Sequence, residues 1–105
     1  MGKKNLFTVT SPLGYRVSLS RNRWREIVRF KHPALKGHEE DVRECLREPE
    51  LIRASAKDEE VHLYYRKAER GYLCTVVAYE DPEERFVVTA YFTKDIKKGE
   101  HLWTK

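Results

Sequence analysis

Residues 51–93 read LIRASAKDEEVHLYYRKAERGYLCTVVAYEDPEERFVVTAYFT, and their apolar positions recur with a period of two. Four β-prone runs stand out, at 51–55, 61–67, 72–79 and 85–93. The connections carry Asp58-Glu59-Glu60, Glu69-Arg70-Gly71 and Asp81-Pro82-Glu83, polar segments punctuated by glycine and proline. Connections this short join sequence neighbours in antiparallel order, which predicts a four-stranded meander.

Upstream the period lengthens to that of a helix. Trp24, Ile27, Val28, Lys31 and Leu35 recur at helical spacing behind Ser20 or Asn22, either of which suits a cap. Pro33 ends or kinks this helix around His32, because the residue before a proline is pushed out of the α region. After Gly37 a second helix is expected over 38–47, with Val42, Cys45 and Leu46 on its apolar stripe. Glu39, Glu40 and Asp41 load its first turn, where the helix dipole favours acids, and Glu48-Pro49 stops it. Further back, residues 6–10 and 15–19 flank Ser11-Pro12-Leu13-Gly14 and read as a hairpin. The order ββααββββ is an α+β fold: an N-terminal β-hairpin, two helices, then a four-stranded antiparallel meander with the helices packed on one face.

The 105 residues suit one domain, 1–105, with a core that needs no metal or disulfide to hold it. Charged residues make up 36%, and no apolar run approaches the ~20 residues that span a bilayer. The basic opening, residues 1–6, is followed by no apolar run, so no secretory signal is read there. Cys45 and Cys74 fall on apolar positions of their segments and read as buried thiols, which fits a reducing cytoplasm. Lysine and arginine number 21 against 17 acids, for a net charge of +4 that permits a nucleic-acid partner without requiring one. No HExxH, P-loop, EF-hand or paired His/Cys spacing is present, and neither a metal nor a cofactor is expected.

Strand alternation sorts the meander into two sides. Ile52, Ala54, Val61, Leu63, Tyr65, Leu73, Val77, Phe86, Val88, Ala90 and Phe92 form the expected core side. Arg53, Ser55, His62, Tyr64, Arg66, Thr89, Tyr91 and Thr93 form the other, which carries cations, phenols and hydroxyls but no carboxylate. A wet antiparallel face carries many of the same residue types. A ribose–phosphate chain also wants this set: guanidinium groups pair with phosphate, phenol rings stack on bases, and hydroxyls bond phosphate or the 2′-OH.

The layout resembles the RelE fold and, more widely, the barnase–EndoU–colicin–RelE group of small ribonucleases, including phage-associated and toxin–antitoxin nucleases. The matching strings are RNRWREIV around Trp24, KHPAL (31–35), REPELIRAS (47–55), LYYRK (63–67), LCTVVAY (73–79), TAYFT (89–93) and IKKGEHLW (96–103). They cover residues 24–103 and leave the hairpin outside. The resemblance implies metal-independent RNA cleavage, in which the 2′-OH attacks its own phosphate and leaves a 2′,3′-cyclic end. It also implies a possible antitoxin protein that masks the basic face. A non-catalytic RNA- or protein-binding module of the same fold is the alternative.

Such chemistry needs a base, positive charge at the phosphate and a proton for the leaving oxygen. His32, at the end of the first helix, is the candidate base or acid, and His62 is its rival on the sheet. Arg53 and Arg66 are the expected phosphate clamps, and Tyr91 stacks a base or donates a proton. Ser55, Tyr64, Thr89, Thr93 and Lys94 are the expected RNA-binding set. His38 reads as a surface residue at a helix start, His101 as a tail residue, and Trp103 as a packing residue.

Overall fold

In the computed structural model, which describes residues 4–105, the chain is α+β, with two α-helices against one mixed seven-stranded sheet. Residues 1–3, which begin the basic opening, lie outside the described residues. No helix among the described residues is long and apolar enough to cross a membrane.

The hairpin forms as expected, from β1 (Asn5–Thr10) and β2 (Arg16–Ser20). Its turn closes through Gly14, whose φ of 98° is a conformation that glycine adopts without steric cost. Ser20 then caps α1 (Arg21–Glu26), its hydroxyl accepting from the Arg23 N–H at 3.1 Å. The long first helix does not continue. A π-helical turn over Ile27–Lys31 ends where the His32 N–H donates to the Ile27 carbonyl at 2.7 Å, and a 3₁₀ turn follows over Pro33–Leu35. Pro33 forces this break: His32, at φ −139° and ψ 75°, has left the helical region. α2 (Glu39–Arg47) closes the helical part with its three acids in the first turn and Val42, Cys45 and Leu46 buried.

Five strands follow: β3 (Leu51–Ser55), β4 (His62–Ala68), β5 (Gly71–Asp81), β6 (Glu84–Thr93) and β7 (Gly99–Thr104). The sheet order is β1-β2-β6-β5-β4-β3-β7. The expected four-stranded meander is therefore not the sheet that forms. The hairpin joins its edge through β2, which runs parallel to β6 over three residue pairs, Arg16–Ser18 against Glu84–Phe86. At the far edge β7 pairs with β3, so His101 and Trp103, read from sequence as tail and packing residues, are strand residues. Trp103 does pack, half-buried, against the main core.

The pairing register also corrects the two sides. Ile52, Tyr64, Thr75 and Ala90 form one cross-strand row, and Leu51, Tyr65, Cys74 and Tyr91 form the next. β4 is thus one residue out of the expected phase. His62, Tyr64 and Arg66 share the helix side with Ile52, while Leu63 and Tyr65 face the other way. The more apolar parity of β4, Val61, Leu63 and Tyr65, turns away from the helices because the second cluster with Ile96 covers it there. On β6 a bulge removes Val88 from the pairing and puts Val87 in the core where Val88 and Phe86 were expected.

Trp24, Ile27, Leu35, Val42, Cys45 and Leu46 bury the helix side against Ile52, Tyr64, Leu73, Val77, Val87 and Ala90. Most of these side chains are fully enclosed, and burial of each aliphatic one contributes about 1.5–3 kcal/mol. A second, smaller cluster lies across the sheet: Leu63, Tyr65 and Cys74, partly covered by Leu51, Val61, Tyr72, Val76, Tyr91 and Ile96. The connection from β6 to β7, residues 94–98, supplies that cover.

Candidate functional site

The break at Pro33 decides where His32 goes. α1 follows β2, which lies beside only the first part of β6, and packs along β6 beyond that pairing. Its end brings the His32 ring to 5.7 Å from the ring of Tyr91, tilted by 36°. Tyr91 stands in a cross-strand row with Cys74 and Tyr65, on the side away from the main core. Lys97 sits over the other part of this group, its Nζ 5.6 Å from the Tyr91 ring centre. The Lys97 N–H donates to the Tyr65 hydroxyl at 3.0 Å, and its carbonyl accepts from the Arg53 guanidinium at 3.1 Å. His32, Tyr91, Lys97 and Arg53 therefore form one connected patch on the open side of the sheet.

Burial governs the protons here. It raises the Tyr91 phenol well above the ordinary tyrosine value, with Cys74 adding to the effect, so Tyr91 stays protonated and keeps a proton to donate near neutral pH. Tyr65 is pushed up to about 12 by the same cause. The buried Cys74 thiol is also raised, mainly by desolvation, which keeps it neutral and a poor nucleophile. Two polar atoms on this side, Arg53 Nε and Thr89 Oγ1, are buried without a partner among the described residues.

A second polar group lies on the helix side. The Tyr64 hydroxyl donates to the Tyr15 hydroxyl at 2.5 Å and meets the Ser11 hydroxyl at 2.5 Å, and the Tyr15 hydroxyl reaches His62 Nδ1 at 2.8 Å. Arg85 covers it, its guanidinium 4.7 Å from the Tyr15 ring centre while donating to the Glu60 carbonyl. Burial, followed by the charge of Arg85, lowers His62 to about 4. His62 is thus neutral near pH 7 and bonded into the interior.

Of the expected catalytic residues, the structure brings His32 and Tyr91 together, ties Arg53 on β3 to them only through the Lys97 carbonyl, and separates His62 and Arg66 from them. Arg66 donates to the Glu48 carbonyl at 2.6 Å on the helix side. Of the expected RNA-binding residues, Thr89 and Thr93 share the open side with Tyr91, and Ser55 shares it with Arg53. Two of these hydroxyls are occupied locally: Ser55 accepts from the Lys57 N–H and Thr93 bonds the Asp95 backbone, both at 3.2 Å. Lys94 is exposed just beyond β6. Tyr64 is a correction: it is fully buried and cannot stack on a base. Sequence reasoning marks the basic 94–99 segment as one that tracks a phosphate backbone or is solvated, but names only Lys94 from it, not Lys97, as a site residue. It also missed Ser11 and Tyr15, whose role depends on how the hairpin folds against β4.

Among the described residues no three His, Cys, Asp or Glu side chains are grouped as a metal site requires. No family model, curated protein or solved structure matches the chain.

Proposed function

We propose that the protein is a RelE-like, metal-independent endoribonuclease, acting as the toxin of a toxin–antitoxin pair in the cytoplasm. The observation that carries this reading is the contact of His32 with Tyr91 beside Lys97 and Arg53. A base, a proton donor and the Lys97 cation share one patch, which Arg53 borders through its bond to the Lys97 carbonyl.

In this reading His32 takes the proton of a ribose 2′-OH as that oxygen bonds to the adjacent phosphorus. Lys97 and Arg53 balance the charge that builds on the phosphoryl oxygens. The bond from phosphorus to the 5′-oxygen breaks as Tyr91 gives that oxygen its proton, and exchange with water then returns His32 and Tyr91 to their starting states. The products are a 2′,3′-cyclic phosphate and a 5′-hydroxyl end. The high proton affinity of Tyr91 makes it a weak acid, so electrostatic stabilisation and positioning carry most of the acceleration. An acidic or extended antitoxin segment lying on the open side would cover the same patch.

The test is incubation of the purified protein with a labelled RNA in EDTA. Cleavage with cyclic-phosphate ends, reduced about 10²–10⁴-fold in His32→Ala while the fold is kept, is the expected result. RNA that binds with a steep salt dependence but is never cut assigns the protein to the non-catalytic module instead. Neither binding nor cleavage removes both readings.

A further inference from the structure

The 32–38 segment straddles the end of β6. His32 meets Tyr91 on one side of that strand, and His38 meets Phe92 on the other, with ring centres 5.2 Å apart and planes at 81°. Consecutive strand residues point to opposite faces, so a single strand end presents both contacts. Behind Phe92 a cleft of about 460 Å³ opens between the start of α2 and the turn joining β4 to β5, within the usual range of roughly 300–1,000 Å³ for ligand sites.

The lining of this cleft has two unlike parts. One is aromatic: Phe92, 41% exposed, stands in the wall, while the Tyr72 ring turns to the opposite face against Tyr65. The other is cationic, because Arg66, Lys67 and Arg70 come together at the β4–β5 turn. Two carboxylates are also present, but Asp41 is bonded to His38 Nδ1 at 2.8 Å, leaving Glu69 as the opposing free acid. Gly71 shapes the turn, with a φ of 131°, and a Cβ there would press on the Thr93 carbonyl. The close approach of turn and strand is therefore built into the backbone.

We infer that this cleft is a nucleotide subsite, in which a base lies against Phe92 and its phosphate is held by Arg66, Lys67 and Arg70. An exposed ring beside a cluster of guanidinium and ammonium groups suits a ligand with one flat apolar part and one anionic part. Thr93 borders the cleft two residues along β6 from Tyr91, so the subsite lies next to the patch assigned to cleavage. This inference deepens the ribonuclease reading and places a neighbouring nucleotide of the RNA on the opposite side of β6 from the cleaved phosphate.

The experiment is titration of the full chain with 5′-AMP, followed by NMR and calorimetry. Saturable shifts are expected at Phe92, Thr93 and Arg70. Binding should weaken about ten-fold or more in Phe92→Ala and in Arg70→Ala, and stay unchanged in His32→Ala. Adenosine, which lacks the phosphate, should bind more weakly than AMP. Shifts that are absent, or that persist in Phe92→Ala, overturn the inference. So does an acidic peptide that fills the cleft when AMP does not, which assigns the cleft to a protein partner. AMP held in the cleft of a protein that never cuts RNA upholds the subsite and removes the nuclease reading; RNA cleavage with no AMP in the cleft does the reverse.

Discussion

The open patch and the buried relay use nearly the same side chains to opposite ends. His32 and Tyr91 meet at a surface where Lys97 hovers over a phenol ring and Arg53 keeps one nitrogen unpartnered. His62, Tyr15, Tyr64 and Ser11 form an unbroken hydrogen-bonded series, with Arg85 stacked against it. A histidine–tyrosine pair is thus no signature of chemistry by itself. Whether its hydrogen bonds are consumed internally or left for a ligand decides which role it takes.

The contrast can be broken most forcefully at Tyr64. Tyr64→Ala removes a fully buried ring and takes one hydrogen-bond partner each from Ser11 and Tyr15, so a loss of about 3–5 kcal/mol is expected in urea unfolding. Tyr64→Phe keeps the ring and should cost about 1–2 kcal/mol, with RNA cleavage by the folded fraction unchanged. His32→Ala should do the reverse, abolishing most cleavage with a stability change below about 1 kcal/mol. A Tyr64→Phe protein that is stable but inactive would show that the relay, not the patch, is the site.

Acid sharpens the comparison next. His62 binds its proton at about 4 in the folded chain and near 6.5 when unfolded, mainly because it is buried. The unfolded state therefore takes up protons first as pH falls. Stability is full above about pH 6.5, declines through the interval below it, and levels off below about 4. Half-exposure limits the loss to about 1–2 kcal/mol. His62→Gln should flatten this slope in denaturation curves taken from pH 7 to 4, and an unaltered slope would remove His62 as its source.

The smallest effect belongs to Lys94, exposed at the border of the patch. Lys94→Ala should weaken RNA binding uniformly across sequences and lower the slope of log K against log salt by about 0.7–0.9. A change that depends on RNA sequence would mean that Lys94 reads bases.

Much of the architecture was legible because local signals agreed. Ser20 before a helical stripe, Pro33 after His32, acids before Val42 and Gly-bearing turns between the strands each specify a boundary without knowledge of the rest. The phase of β4 was not legible. Leu63 and Tyr65 are as apolar as a core face should be, yet they are covered by Ile96 rather than by the helices, and this cover is known only when the 94–98 connection is placed. For the same reason Tyr64 was misread as a surface ring: its burial depends on Ser11 and Tyr15, about fifty residues upstream. The grouping of His32, Arg53 and Tyr91 was legible as residue types but not as a cluster with Lys97.

The pairing of β7 with β3 has a consequence for the order of assembly. β3 meets β4 across a short loop, whereas Ser55 meets Gly99 only after the intervening hairpins are in place. Contacts between residues so far apart in the chain close late in folding. Lys97 rides on the connection that this closure fixes, so the patch gains its overhanging cation only once β7 has docked. Losing the β7–β3 pairing would free the 94–98 connection and take Lys97 from Tyr91 without changing either residue.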